Sequence, residues 1–87
     1  MISPHEKDDL LHIMKMNRFI LTDSDSAQLI FSGQINDEKY KVKILVIEDQ
    51  MHTIVERNEK KIYNELIKSV DDLKIFLEER FYQFLEV

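Results

Sequence analysis

His52-Thr53-Ile54-Val55-Glu56-Arg57-Asn58-Glu59-Lys60-Lys61-Ile62-Tyr63-Asn64-Glu65-Leu66-Ile67-Lys68 admits two readings, and the fold turns on which one the chain adopts. In the first, His52 to Arg57 and Lys60 to Lys68 are β-strands hinged at Asn58-Glu59, a pair of turn-forming residues. A helix then begins at Ser69, with Asp71 and Asp72 placed where carboxylates complement the helix dipole. In the second, one helix runs from about Glu59 to Glu86, because Tyr63, Leu66, Val70, Leu73, Leu77 and Phe84 fit a heptad-like stripe. Both readings share a helix after Ser69 that buries Val70, Leu73, Phe76, Leu77, Phe81 and Phe84. They also share an apolar pair, Ile75 and Tyr82, on its outer side.

Upstream of this fork the pattern is plainer. Ser3, Pro4 and Glu6 form the start signal of a helix: a capping hydroxyl, a proline whose missing N–H costs nothing at the first position, and a glutamate that completes a capping box. Leu10, Leu11, Ile13 and Met14 then recur at helical spacing up to about Met16. After Asn17 the period drops to two. Arg18 to Thr22 reads as a strand, Asp23-Ser24-Asp25-Ser26 as a turn, and Ala27 to Ile35 as a second strand. Gly33, the single glycine, interrupts that strand, and a β-bulge is expected there. Asn36-Asp37-Glu38 turns the chain into Lys39 to Glu48, where Tyr40, Val42, Ile44 and Val46 alternate with Lys39, Lys41 and Lys43. The expected fold is one α+β domain over residues 1–87. It is a two-layer sandwich of an N-terminal helix, an antiparallel meander of three to five strands and a C-terminal helix, both helices on one sheet face.

Composition removes several function classes. The 87 residues include no cysteine, so disulfide scaffolds, cysteine-ligated metal centres and cysteine nucleophiles are excluded. The longest apolar run, Ile44-Leu45-Val46-Ile47, is far short of a bilayer span. The opening Met1-Ile2-Ser3-Pro4-His5-Glu6 lacks the basic and apolar regions of a secretory leader, so a cytoplasmic location is expected. A net charge of −5 argues against binding duplex nucleic acid through the bulk of the surface.

Sites of chemistry are sparse. His5 and His12 lie seven apart beside Asp8 and Asp9, but about 10.5 Å of helical rise separates the two rings, too far for one zinc ion at about 2 Å from each. A solvated polar face explains them better, and no metal or other cofactor is expected. Neither a nucleophile–base pair nor a phosphate-cradling glycine loop can be found, so the chain is not expected to be an enzyme.

Two surfaces remain. The C-terminal helix carries Asp71, Asp72, Glu78, Glu79 and Glu86 near Ile75 and Tyr82, the composition of a docking face with an aromatic anchor and steering acids. The expected function is a small binding or regulatory protein acting through Ile75, Glu78, Glu79, Tyr82 and Glu86, an inhibitor of a basic or nucleic-acid-binding partner being one form of it. The open sheet face offers a second surface. There Lys41, Lys43, Arg57 and Lys61 would interleave with Ile30, Val55 and Tyr63 as a platform for single-stranded nucleic acid or another partner. Self-association as a homo-oligomer is the third alternative.

Overall fold

The structure, a computed structural model, describes residues 2–25, 27–48 and 50–85. It adopts the strand reading of the deciding stretch. Helix α1 (Pro4–Met16) leads into a five-stranded antiparallel meander, β1 (Phe19–Ser24), β2 (Gln28–Ile35), β3 (Glu38–Ile47), β4 (Gln50–Arg57) and β5 (Lys60–Ile67), in sheet order β1-β2-β3-β4-β5. Helix α2 (Val70–Ile75) follows, and continues without a break into a π-helical turn (Phe76–Arg80) and a 3-10 turn (Phe81–Phe84). Of the alternative helix over residues 59–86, residues 60–67 are strand β5 instead, and helical winding begins only at Val70.

Local chemistry explains the breaks. Ser3 Oγ accepts the Glu6 N–H at 3.2 Å while Glu6 Oε1 accepts the Ser3 N–H at 3.1 Å, so the capping box of α1 is formed. At the other end Arg18 takes φ 69°, reversing the chain into β1. The β2–β3 and β4–β5 hairpins use two-residue turns, Asn36-Asp37 (φ 51° and 67°) and Asn58-Glu59 (φ 51° and 70°). Positive φ at both central positions matches the right-handed twist of the strands, and asparagine tolerates it better than most residues. Asn58 also ties its turn to β3: its N–H donates to the Lys39 carbonyl at 2.7 Å, and its Oδ1 accepts the Lys39 N–H at 3.0 Å. This hinge is what splits residues 52–68 into two strands.

Both helical elements lie on one face of the sheet. Beneath them sit Phe19, Leu29, Phe31, Tyr40, Val42, Ile44, Met51, Val55 and Ile67, packed against Leu10 and Met14 of α1 and Leu73, Phe76, Leu77 and Phe81 of the C-terminal segment. The Phe81 N–H donates to the Phe76 carbonyl five residues back, the hydrogen bond of a π turn. Phe76 and Phe81 are both fully buried, with ring centroids 6.2 Å apart. Asp9 of α1 and Lys74 of α2 join the two helical elements through an ion pair of 2.9 Å. The Lys74 hydrogen bond holds the Asp9 carboxyl below the usual aspartate range. Because the folded value is the lower one, the contact stabilises the fold above the unfolded aspartate value, and its contribution is lost as pH falls below about 4.

Two details depart from the sequence reading: β1 takes in Asp23 and Ser24, which the sequence assigns to the turn, and the glycine has another role. Gly33 is not at a bulge: β2 pairs β3 in unbroken register from Gln28 to Ile35, and the shift in the β1–β2 ladder falls at Thr22, between Leu21 and Asp23. A Cβ at Gly33 would lie 2.8 Å from the Arg18 carbonyl oxygen and 3.1 Å from Phe19 Cγ, so the residue serves a close approach rather than a kink. Gly33 stands directly between Phe19 and Tyr40 on its two neighbouring strands, whose rings approach to 6.3 Å.

Thr53 is the other feature of note. It is fully buried between the strands of Ile44 and Glu65, and its Oγ1 has no hydrogen-bond partner. An unsatisfied buried hydroxyl costs about 1–3 kcal/mol, and a valine of the same shape removes it. Thr53→Val should therefore raise stability by about 1 kcal/mol, read as a higher urea midpoint at unchanged slope. A lower midpoint would show that the hydroxyl is satisfied.

Candidate partner-binding surfaces

The register assigns every strand residue to a face, since directly paired residues share one. Three cross-strand rows form the middle of the uncovered face, between the Gln34–Lys39 pair at one end and the Ile47–Gln50 pair at the other. The first is Ile20, Ser32, Lys41, Glu56 and Lys61; the second Asp23, Ile30, Lys43, Ile54 and Asn64; the third Gln28, Leu45, His52 and Leu66. Lys41, Lys43 and Lys61 thus lie on this face together with Ile30. Lys43 pairs with Glu56 at 3.2 Å, while Lys41 and Lys61 flank that glutamate on the neighbouring strands. His52 Nε2 hydrogen-bonds Asn64 Oδ1 across β4 and β5.

Arg57, Val55 and Tyr63 are on the opposite face. Val55 pairs Val42 and Tyr63 within the core layer, and Arg57 pairs Tyr40. Tyr63 stacks on Phe76 with centroids 4.7 Å apart and donates its hydroxyl to Glu65. Burial, reinforced by that carboxylate, pushes its phenol up to about 12. Val55 and Arg57 follow the unbroken β3–β4 register, while Tyr63 is displaced by a bulge: Val55 faces Tyr63 but Glu56 faces Lys61, leaving Ile62 as an extra residue in β5. Strict alternation puts Lys61 and Tyr63 on one face; the inserted residue puts them on two.

The uncovered face is more apolar than alternation from the lysines implies. Ile20, Ile30, Leu45, Ile54 and Leu66 all belong to it. Ile20 is 66% exposed and Leu66 47%, whereas Ile54 is only 8% exposed although no helix covers it. The sequence signal for this was the adjacent pair Ile54-Val55, which no single face can hold. At the β1 end a depression of about 410 Å³ is bordered by Ile20, Ser32, Lys39, Lys41 and Glu56. The rows hold no Phe, Tyr or Trp; their one aromatic ring is the His52 imidazole.

The C-terminal segment divides its own candidates. Ile75 and Tyr82 are each half exposed, but they line different grooves. Ile75 meets Leu66, Lys68, Asp72 and Arg80 beside β5, in a groove of about 330 Å³. Tyr82 meets His12, Ile13, Met16, Asn17 and Glu78 beside α1, in one of about 370 Å³. Seven residues would place the two side chains one above the other on a straight α-helix. The π turn adds a residue to the winding between them and separates them. Glu78 shares the Tyr82 groove and Glu79 is exposed, while Glu86 lies outside the described residues.

Among the described residues no group of three or more His, Cys, Asp or Glu is placed to hold a metal ion, and no helix is long and apolar enough to cross a membrane. His5 instead approaches Asp9, one helical turn on, at 3.8 Å. These features define a two-layer α+β domain with one sheet face uncovered and partly apolar. No protein-family model, curated protein or solved structure matches the chain.

Proposed function

We propose that this chain is a non-enzymatic, cytoplasmic protein-binding domain that regulates a partner by occupying its surface, with the uncovered sheet face as its principal contact. The observation that carries this reading is the run of aliphatic side chains on that face, rimmed by lysines. Uncovered apolar surface framed by charge is characteristic of protein interaction sites. The absence of cysteine suits a reducing compartment. Single-stranded nucleic acid is a poorer occupant, because its bases need aromatic or guanidinium planes to stack on. The three rows offer only the His52 imidazole, already hydrogen-bonded to Asn64, Tyr63 and Arg57 being on the helix side.

A second reading keeps the acidic C-terminal segment as the contact, in the form of an inhibitor that engages a basic partner. What favours it is the groove holding half-exposed Tyr82, exposed Met16 and Glu78 together. Ile75 has no part in that groove.

Affinity capture from the native cell with three forms of the whole chain separates the two. Ile20→Ser with Leu66→Ser alters the sheet face, and Met16→Ser with Tyr82→Ser alters the helix side. All four side chains are about half exposed or more, so neither pair should unfold the domain. Loss of the captured protein with the first pair alone is the expected result. Loss with the second pair alone would move the contact to the helix side.

A further inference from the structure

Resting on the sheet-face reading, we propose that the partner presents an amphipathic α-helix with an acidic flank, laid across the uncovered face as a third layer. Ile20, Ile30 and Leu45 lie on successive strands, each two residues further along than the last: Ile20 pairs Ser32, two from Ile30, and Ile30 pairs Lys43, two from Leu45. They form a straight diagonal band. With strands about 4.8 Å apart and about 3.3 Å of rise per residue, its two steps span about 16 Å, or three turns of helix. Ile54 lies beside the band on β4.

Charge gives the partner's sign. Lys39, Lys41 and Lys61 lie on this face to one side of the band, and Glu56 between Lys41 and Lys61 is engaged by Lys43. A chain of net charge −5 therefore turns a basic margin toward whatever covers these isoleucines. A helix with an apolar stripe and carboxylates along one edge complements both features. A second copy packed face to face complements this margin less well, because its rows bring more lysines than carboxylates to the contact, only Asp23 and Glu56, and Glu56 is already held by Lys43. An extended strand adds to a sheet edge rather than to a face whose strands are already paired.

The test uses a synthetic peptide of about 18 residues, long enough to be helical, with leucines at i, i+3, i+4 and i+7 and glutamates along one side of that stripe. A matched peptide carries lysines in place of the glutamates. Binding to the whole chain is followed by fluorescence anisotropy at low and high salt. The glutamate peptide should bind, weaken as salt rises, and lose on the order of tenfold in affinity with Lys41→Gln and Lys61→Gln, exposed positions whose neutral replacements leave the fold intact. The lysine peptide should bind at least tenfold more weakly. Equal binding of the two peptides would overturn the proposal. So would self-association abolished by the same lysine changes, or a labelled single-stranded oligonucleotide binding with the same dependence. If the glutamate peptide fails to bind while capture of the native partner still requires Ile20 and Leu66, the acidic-helix proposal falls and the sheet-face function stands.

Discussion

Phe76→Ala should destabilise the domain by about 3–5 kcal/mol, the usual cost of emptying a fully buried phenylalanine site. Phe76 is the hub of the aromatic cluster. It stacks on Tyr63 at 4.7 Å, meets Phe84 at 6.1 Å and Phe81 at 6.2 Å, and carries the Arg80 guanidinium 5.1 Å from its centroid. A chain of this length has about 4–13 kcal/mol in total, so the loss takes much of its stability. Thermal unfolding followed by circular dichroism should show a midpoint lower by about 15 °C or more. A fall of only a few degrees would mean that the C-terminal segment is not docked on β5 as described. The truncation also removes the ring that holds Tyr63 on the helix side, so the Tyr63 phenol should titrate closer to its ordinary value in any fraction that stays folded.

Gly33→Ala gives the second large effect, and its sign is informative. No glycine in the structure has positive φ, so Gly33 is not needed for its backbone conformation. At such a position alanine ordinarily stabilises by about 0.4–1 kcal/mol, through the lower entropy of the unfolded chain. Here the new methyl would press on the Arg18 carbonyl at 2.8 Å and the Phe19 ring at 3.1–3.2 Å. Arg18 is held at φ 69° by the end of α1, where its N–H donates to the Lys15 carbonyl at 3.0 Å, so the backbone there has little room to retreat. Overpacking of this kind costs about 1–3 kcal/mol and should outweigh the entropic gain. A lower denaturant midpoint is the expected result. A higher one would show that β1 does not approach β2 this closely.

Much of the architecture was legible because it is written in local chemistry. Ser3, Pro4 and Glu6 spell the start of α1, Ser69 the start of α2, and Asn36-Asp37 and Asn58-Glu59 the two-residue turns. The helical alternative for residues 59–68 had real periodicity behind it. It lost because Asn58 locks the β4–β5 turn onto Lys39, a contact nineteen residues away along the chain. What stayed hidden were single-residue insertions into regular elements. Ile62 bulges from β5 and Thr22 from β1, and one extra residue winds into the π turn after Phe76. Each changes which side chains share a face. Two of the three bear on the candidate sites, sending Tyr63 to the helix side and parting Ile75 from Tyr82, whereas Arg57 is set there by the unbroken β3–β4 register. Composition gives no sign of them, because a bulge is decided by what the neighbouring strand and helix need to pack. Ile54 escaped notice for a related reason. The sequence reading sets Val55 on the open face, and the register reverses this, putting Val55 in the core and turning Ile54 away from both helices.

The central claim, that the sheet face is where the partner sits, is tested most directly by methyl NMR of the whole chain titrated with the captured protein. Signals of Ile20, Ile30, Ile54, Leu45 and Leu66 should shift or broaden, while those of Ile13, Met16 and Leu77 on the helix side stay in place. Perturbation confined to Ile13, Met16 and Leu77 would contradict the account and assign the contact to the groove around Tyr82.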